Sequence, residues 1–275
     1  MTRIALLQMC SGTDPADNAS AVSAAIGAAA VGGAAMLFTP EMTNLIDRDR
    51  VRAAMSVTSE EDDLVLAAAR EGAAAHGIWV YLGSLALKGA DGKLANRGFV
   101  IDATGAIRAR YDKLHLFDVD LPTGESWRES AAYTAGQGAR VVASPIGKIG
   151  LSICYDLRFA DLYRALSNAG ATVLSVPAAF TRPTGEAHWH ILLRARAIEA
   201  GAFVIAAAQT GEHADGRATY GHTLVIDPWG EILLDMGEET GLGFAEIDVG
   251  RVDEVRARVP VIAHRRTIPV VEVLA

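Results

Sequence analysis

Two rhythms of apolar and polar positions alternate along the chain, short apolar runs and longer stretches of helical spacing, and each switch predicts an element. Residues 3–9 (RIALLQM) read as a strand. Residues 16–33 (ADNASAVSAAIGAAAVGG) read as a helix that stops at its glycine pair, where a left-handed cap costs little. Residues 34–41 (AAMLFTPE) predict a buried strand, and residues 59–77 a helix with a serine cap and an acidic first turn. Strands follow at 78–87, 95–102 and 106–113, the last two joined by a tight turn.

The second half repeats the rhythm. Strands are expected at 147–154, 171–180 and 202–209, with helices at 157–170 and 186–201 between them. Strands at 220–227 and 231–236 flank a Pro-Trp-Gly turn, and residues 241–248 form one more. Strand and helix in alternation over the whole length predict helices covering sheet faces. Because some neighbouring strands have only turns between them, the sheets must be mixed.

Composition narrows the partners. At 275 residues with 51% hydrophobic side chains and no Pro/Ser-rich linker, residues 1–275 are expected to form one α/β domain. A net charge of −8 argues against a nucleic-acid backbone, which needs clustered lysine and arginine. No window reaches the roughly 18 unbroken apolar residues of a membrane span, and the apolar start, interrupted by Gln8, reads as a strand instead of a signal. Two cysteines make neither a disulfide framework nor a four-thiolate zinc site, so a reducing, cytoplasmic setting is expected. Neither a G-x-G-x-x-G nor a Walker pattern is present.

Three polar residues each close a strand of this pattern: Glu41, Lys113 and Cys154. Strand carboxyl ends in open α/β sheets are where ligand crevices form. Taken singly, a glutamate after proline is usually a loop residue, a lysine at a strand end a surface charge and a cysteine after Ser-Ile core filling. Taken together they have a chemistry. A thiol must lose its proton to attack an amide carbon, and Glu41, with its pKa raised by burial, fits the base. The oxyanion that forms needs donors, which the Lys113 ammonium and the backbone N–H of Tyr155 supply.

The ordered set TPE (Glu41), YDKLHLFDVD (Lys113) and CYDLRFADL (Cys154) resembles the nitrilase superfamily of carbon–nitrogen hydrolases. The likeness spans essentially the whole chain and is strongest to its amidase branch, in particular the deaminated-glutathione amidases, with the ω-amidases as near relatives. The resemblance implies a four-layer α-β-β-α sandwich, a Glu-Lys-Cys triad and no cofactor. It implies hydrolysis of a linear amide with water, with some nitrilase activity left open. It also implies a homodimer or larger assembly, paired along the helix after the nucleophile.

A supporting acid falls on Glu129 by that likeness, since by itself Glu129 reads as an exposed acid in the loop-like stretch 121–138. Arg158, four residues after Cys154 and expected on the first turn of the next helix, is placed to hold a substrate carboxylate; its plainer reading is a surface arginine paired with Asp161. Phe180 and Thr184 match residues expected to line the pocket. The terminal stretch 265–275 (RRTIPVVEVLA), apolar and β-branched, reads as an arm that crosses to a partner.

Two departures stand out. His190 lies where the family commonly has glutamate, and Ala160-Asp161 where it has Pro-Glu. No metal is expected from the histidines, because His188 and His190 are two apart on a helix while a helical ligand pair needs a spacing of three or four. Alternatives are an ω-amidase acting on α-ketoglutaramate, a Cys-His hydrolase using His115 or His222, and a non-catalytic binding protein.

Overall fold

In the computed structural model, which describes residues 1–89, 91–120, 124 and 126–274, the chain opens with β1 (Thr2–Gln8). It crosses through α1 (Pro15–Val31) to β2 (Met36–Phe38) and, after α2 (Arg50–Ser56) and α3 (Leu64–His76), reaches β3 (Trp79–Lys88), β4 (Leu94–Ile101) and β5 (Ile107–Asp112). A ribbon of β6 (Asp118–Asp120) and β7 (Ser126–Arg128) leads to β8 (Val141–Ser144) and β9 (Gly147–Leu151). Then come α4 (Ala160–Asn168), β10 (Val173–Ser175), α5 (Arg182–Ala200) and β11 (Phe203–Ala206). A second ribbon, β12 (Thr210–Glu212) with β13 (Ala218–Tyr220), precedes β14 (Leu224–Ile226) and β15 (Ile232–Asp235). The chain returns through β16 (Gly241–Ile247) and ends its regular structure in α6 (Gly250–Arg258).

Two six-stranded sheets result, in the orders β16-β1-β2-β3-β4-β5 and β15-β14-β11-β10-β9-β8. Both are mixed, as turn-linked strands require: β1, β2 and β3 run parallel, while β16, β4 and β5 pair antiparallel. Side-chain alternation sorts the layers. Ile4, Leu6, Met36 and Phe38 share a core with Ile149, Leu151 and Val173 of the other sheet, whereas Ala5, Leu7 and Leu37 point the other way onto Val22, Ile26, Val65 and Leu66 of α1 and α3. Tyr163 and Leu166 of α4 and Trp189 and Leu193 of α5 join the core of the second sheet. The outcome is the α-β-β-α sandwich.

Several boundaries differ from the sequence pattern for local reasons. Helix α3 begins at Leu64, not near Ser59: the Asp63 carboxylate accepts from the Leu66 N–H at 2.8 Å and from Asn44 Nδ2 at 2.8 Å, and Ser59 bonds Asp62 instead. The strand expected to reach Cys154 ends at Leu151, and Cys154 to Arg158 form a single 3-10 turn. Arg158 therefore precedes α4. Helices α2 and α6 and both ribbons carry too short a pattern to stand out in the sequence.

Strand direction brings the reactive ends together. β2 runs parallel to β3, and β5 is antiparallel to β4, which is antiparallel to β3, so the carboxyl ends of β2 and β5 share one edge of the first sheet. The turn carrying Glu41 fits there because β3 bulges between Leu82 and Leu85. At Gly83 a Cβ would lie 2.1 Å from the Thr39 carbonyl oxygen and 2.4 Å from that of Pro40, so only glycine lets the turn sit this close.

Candidate active site

Glu41 is fixed before its side chain does anything. Gln209 Nε2 donates to its carbonyl at 2.9 Å, and Thr43 Oγ1 donates to the neighbouring Pro40 carbonyl at 2.7 Å. Its carboxylate is 4% exposed and accepts three bonds: Asn96 Nδ2 and Lys113 Nζ on Oε1, both at 2.9 Å, and the Ala179 N–H on Oε2 at 3.0 Å. Lys113, directly after β5 and equally buried, also donates to Glu129 Oε2 at 2.9 Å and Oε1 at 3.2 Å. Glu129 opens a 3-10 turn and is held by the Phe117 N–H at 2.7 Å and by Asn96 Nδ2 at 3.1 Å. Residues 121–123 and 125 of the 121–138 stretch lie outside the described residues.

Cys154 completes the group in a backbone conformation that non-glycine residues avoid, with φ at 49°. The neighbouring bonds hold it there. Its own N–H donates to the Pro177 carbonyl at 2.9 Å, while the N–H of Tyr155 finds no acceptor among the described residues. Buried Asp156 ties the turn to the lysine segment: it accepts from the Ile153 N–H at 2.9 Å, the Tyr111 hydroxyl at 2.7 Å and the His115 N–H at 3.0 Å. Tyr111 and His115 flank Lys113 by two residues on either side, so one carboxylate registers the Cys154 turn against the ammonium.

Charge in this pocket follows from burial and pairing. Burial alone would raise the Glu41 carboxyl, but the Lys113 charge and the bonds to its oxygens hold it below the ordinary carboxylate range. This corrects the expectation that burial raises it. Burial likewise opposes the Lys113 ammonium, and the Glu129 and Glu41 carboxylates outweigh it, keeping the lysine charged well above its ordinary range. Burial and then the Glu41 charge push the Cys154 thiol far above the usual cysteine value. At neutral pH the resting site is a neutral thiol beside the Glu41 carboxylate and the Lys113 ammonium.

Above these groups opens a cavity of about 600 Å³ lined by Glu41, Lys113, Glu129, Cys154, Tyr155, Arg158, Phe180 and Thr184, so each residue expected to act in catalysis or to hold substrate in the amidase reading reaches it. Arg158 is not paired with Asp161. Its Nη1 lies 3.3 Å from His188 Nδ1, and its guanidinium sits 5.5 Å from the Phe180 ring centre and 5.9 Å from that of Tyr155. Phe180 is both lining and core, packed on Trp189 at 4.7 Å. Neither histidine of the Cys-His alternative serves the thiol: His115 Nδ1 is 2.6 Å from Asp156 and His222 Nδ1 is 2.9 Å from Asp235.

Sequence reasoning missed Asn96, Asp156 and Gln209. The signal for Asn96 was an asparagine inside a strand, where that residue is disfavoured without a side-chain partner. It is 1% exposed and bridges both carboxylates.

Residues 3–257 match the family model described as carbon–nitrogen hydrolase. The chain is 37% identical over 268 residues to the deaminated glutathione amidase of Yersinia enterocolitica, covering 96% of this chain and 93% of that one. The crystal structure of the C. elegans NitFhit protein superposes with a TM-score of 0.89 at 41% identity, over 96% of this chain and 65% of that longer one. An amidase mutant from Nesterenkonia sp. AN1, with the acetamide moiety of fluoroacetamide added covalently at its active site cysteine, gives a TM-score of 0.80 at 27% identity, over 96% and 94% of the two chains.

Proposed function

The chain belongs to the carbon–nitrogen hydrolase family and acts on amide bonds; from that premise we propose that Cys154, Glu41 and Lys113 cleave deaminated glutathione through a thioester. The observation that carries the reading is the meeting of these three side chains, with Glu129, at the floor of one cavity. Because the thiol rests protonated and Glu41 ionised, the proton moves to Glu41 as sulfur attacks, not beforehand. Negative charge then develops on the carbonyl oxygen, where the Tyr155 N–H and a Lys113 N–H receive it. The 3.2 Å contact to Glu129 is the one the oxyanion replaces.

A Glu41 carboxyl held below its ordinary range is a strong acid once protonated, which suits delivery of that proton to the leaving amine. Water activated by the regenerated carboxylate hydrolyses the thioester. Glu129 keeps Lys113 aimed throughout.

Substrate size and charge favour deaminated glutathione over the ω-amide α-ketoglutaramate. The first releases a dipeptide and the second only ammonia, and a cavity of about 600 Å³ belongs to the size range that buries a drug-sized molecule. Arg158 beside the nucleophile meets the keto-acid carboxylate, whose burial is costly without a guanidinium. Arg48 and Arg217 also line the cavity; Asp215 pairs with both, at 4.0 and 2.9 Å, so the two together leave one net positive charge for a second carboxylate.

The test is kcat/KM on both acids and on a neutral amide. Arg158→Lys should lower kcat/KM for both acids by roughly 1.5–3 kcal/mol, the value of a hydrogen bond to a charged group, and spare the neutral amide. Equal loss on the neutral amide would give Arg158 a folding role. A higher kcat/KM on α-ketoglutaramate would move the assignment to ω-amidase, and activity on nitriles alone would overturn both.

The same reading extends to assembly as a homodimer or larger. Arg265 anchors the C-terminal stretch on α4, donating to Asn168 Oδ1 at 2.6 Å and Ser167 Oγ at 2.9 Å. Beyond it no strand forms among the described residues, and Ile268, Val270, Val271, Val273 and Leu274 are 70–99% exposed. A row of exposed apolar residues, four of the five β-branched, calls for cover by a second copy. Light scattering at micromolar concentration should give at least a dimer mass, and removal of residues 265–275 should weaken association. A monomer mass for the full chain rejects the arm.

A further inference from the structure

We propose that His190, His222 and Asp235 form a binding site for a divalent transition-metal ion, set between helix α5 and the β14–β15 hairpin and separate from the catalytic cavity. His190 is one of the two departures from the family pattern, and its partners are far away in sequence, not the neighbouring His188. His190 Nε2 lies 3.0 Å from Asp235 Oδ2, and His222 Nδ1 lies 2.9 Å from Asp235 Oδ1. One ligand atom from each of the three residues falls within 4.8 Å of the others, a spread that a tetrahedral ion closes with small side-chain rotations.

The surroundings hold the ligands in place. His222 has φ at 55°, a strained value for a residue with a Cβ, and is pinned on both sides: its N–H donates to the Gly237 carbonyl at 2.6 Å and its carbonyl accepts from Trp189 Nε1 at 2.8 Å. Asp235 Oδ1 also accepts from the Gly237 N–H at 2.9 Å. The Tyr220 ring stacks on His222 at 4.5 Å, and α5 approaches Tyr220 so closely that a Cβ at Gly185 would lie 2.2 Å from it. Such outer contacts orient metal ligands. The three side chains keep 22–33% of their surface exposed, so an ion can enter.

Donor type selects the ion. Two imidazoles and one carboxylate suit zinc, cobalt or nickel and offer too few oxygens for calcium or magnesium. With the ion bound, each imidazole carries its N–H on the nitrogen away from the metal, and one coordination position is left for water. None of the three residues lines the catalytic cavity, so the ion braces α5 against the hairpin and takes no part in hydrolysis.

Titration with Co²⁺ followed by visible absorption, and with Zn²⁺ by calorimetry, tests this on a Cys10→Ser/Cys154→Ala background that removes both thiols. One equivalent should bind, weakened at least 100-fold by His190→Gln or His222→Gln and unchanged by His188→Gln. Zinc at about 100 times its Kd should raise Tm on the order of 5 °C, and His190→Gln should cancel the rise. Asp235→Asn serves if a histidine variant fails to fold. Absence of saturable binding, or binding undiminished in all of these variants, would show a hydrogen-bonded bridge and nothing more.

Discussion

Cys154→Ala is expected to abolish amide turnover, with product release indistinguishable from the uncatalysed rate, while the circular dichroism and elution of the protein stay those of the wild type. No other thiol can substitute: Cys10 is exposed and lies 3.5 Å from His213, outside the residues that line the cavity. Alanine meets the same left-handed backbone at residue 154 that cysteine does, so the change adds no new strain. Loss of rate therefore reports the nucleophile and not the fold. Acid quench of the wild type after brief exposure to substrate should leave the acyl mass on Cys154 and on no other residue. An active alanine variant would end the thioester mechanism.

Glu41→Gln should cost about 10²–10⁴ in kcat, the usual contribution of a positioned general base. The amide is isosteric, and its oxygen can keep the bonds from Asn96 and Lys113 while its NH₂ loses the Ala179 N–H. Lys113 stays charged against Glu129, so the oxyanion donor survives and the missing function is proton transfer. A second readout separates charge from shape.

Glu41 has a folded-state pKa below its ordinary value, so its ionisation contributes stability above that ordinary value, lost as pH falls through the lower one. The Tm difference between wild type and Glu41→Gln should accordingly shrink as pH drops below the carboxylate range. A near-normal rate for the variant would remove Glu41 as base, and a Tm gap that does not change with pH would contradict its ionised resting state.

Asp156 shows how little of this precision is local. Its neighbours in sequence say only that an aspartate follows Cys-Tyr, yet in space it gathers the Ile153 N–H, the Tyr111 hydroxyl and the His115 N–H. Phe159 then stacks on the His115 ring at 3.6 Å and closes the turn from the other side. The lysine and the cysteine are 41 residues apart in the chain and meet through this one carboxylate.

The amino-acid pattern by itself determined the alternation of strands and helices, because side-chain periodicity is a local property. It also determined that Glu41, Lys113 and Cys154 lie at or just past strand ends, since Glu41 and Cys154 follow apolar runs and Lys113 an alternating one, each of which has to stop. Their order and spacing carried the family. What only the tertiary structure decided depends on distance through space. Burial by itself would have raised the Glu41 carboxyl; the ammonium of Lys113, brought across two intervening strands, reverses the sign. Asn96 became part of the site because β4 passes between the two carboxylates. His190 found His222 and Asp235 because α5 packs over a hairpin that begins more than thirty residues later. A one-dimensional pattern records which faces are buried, but which charges face one another follows only once the sheets are stacked.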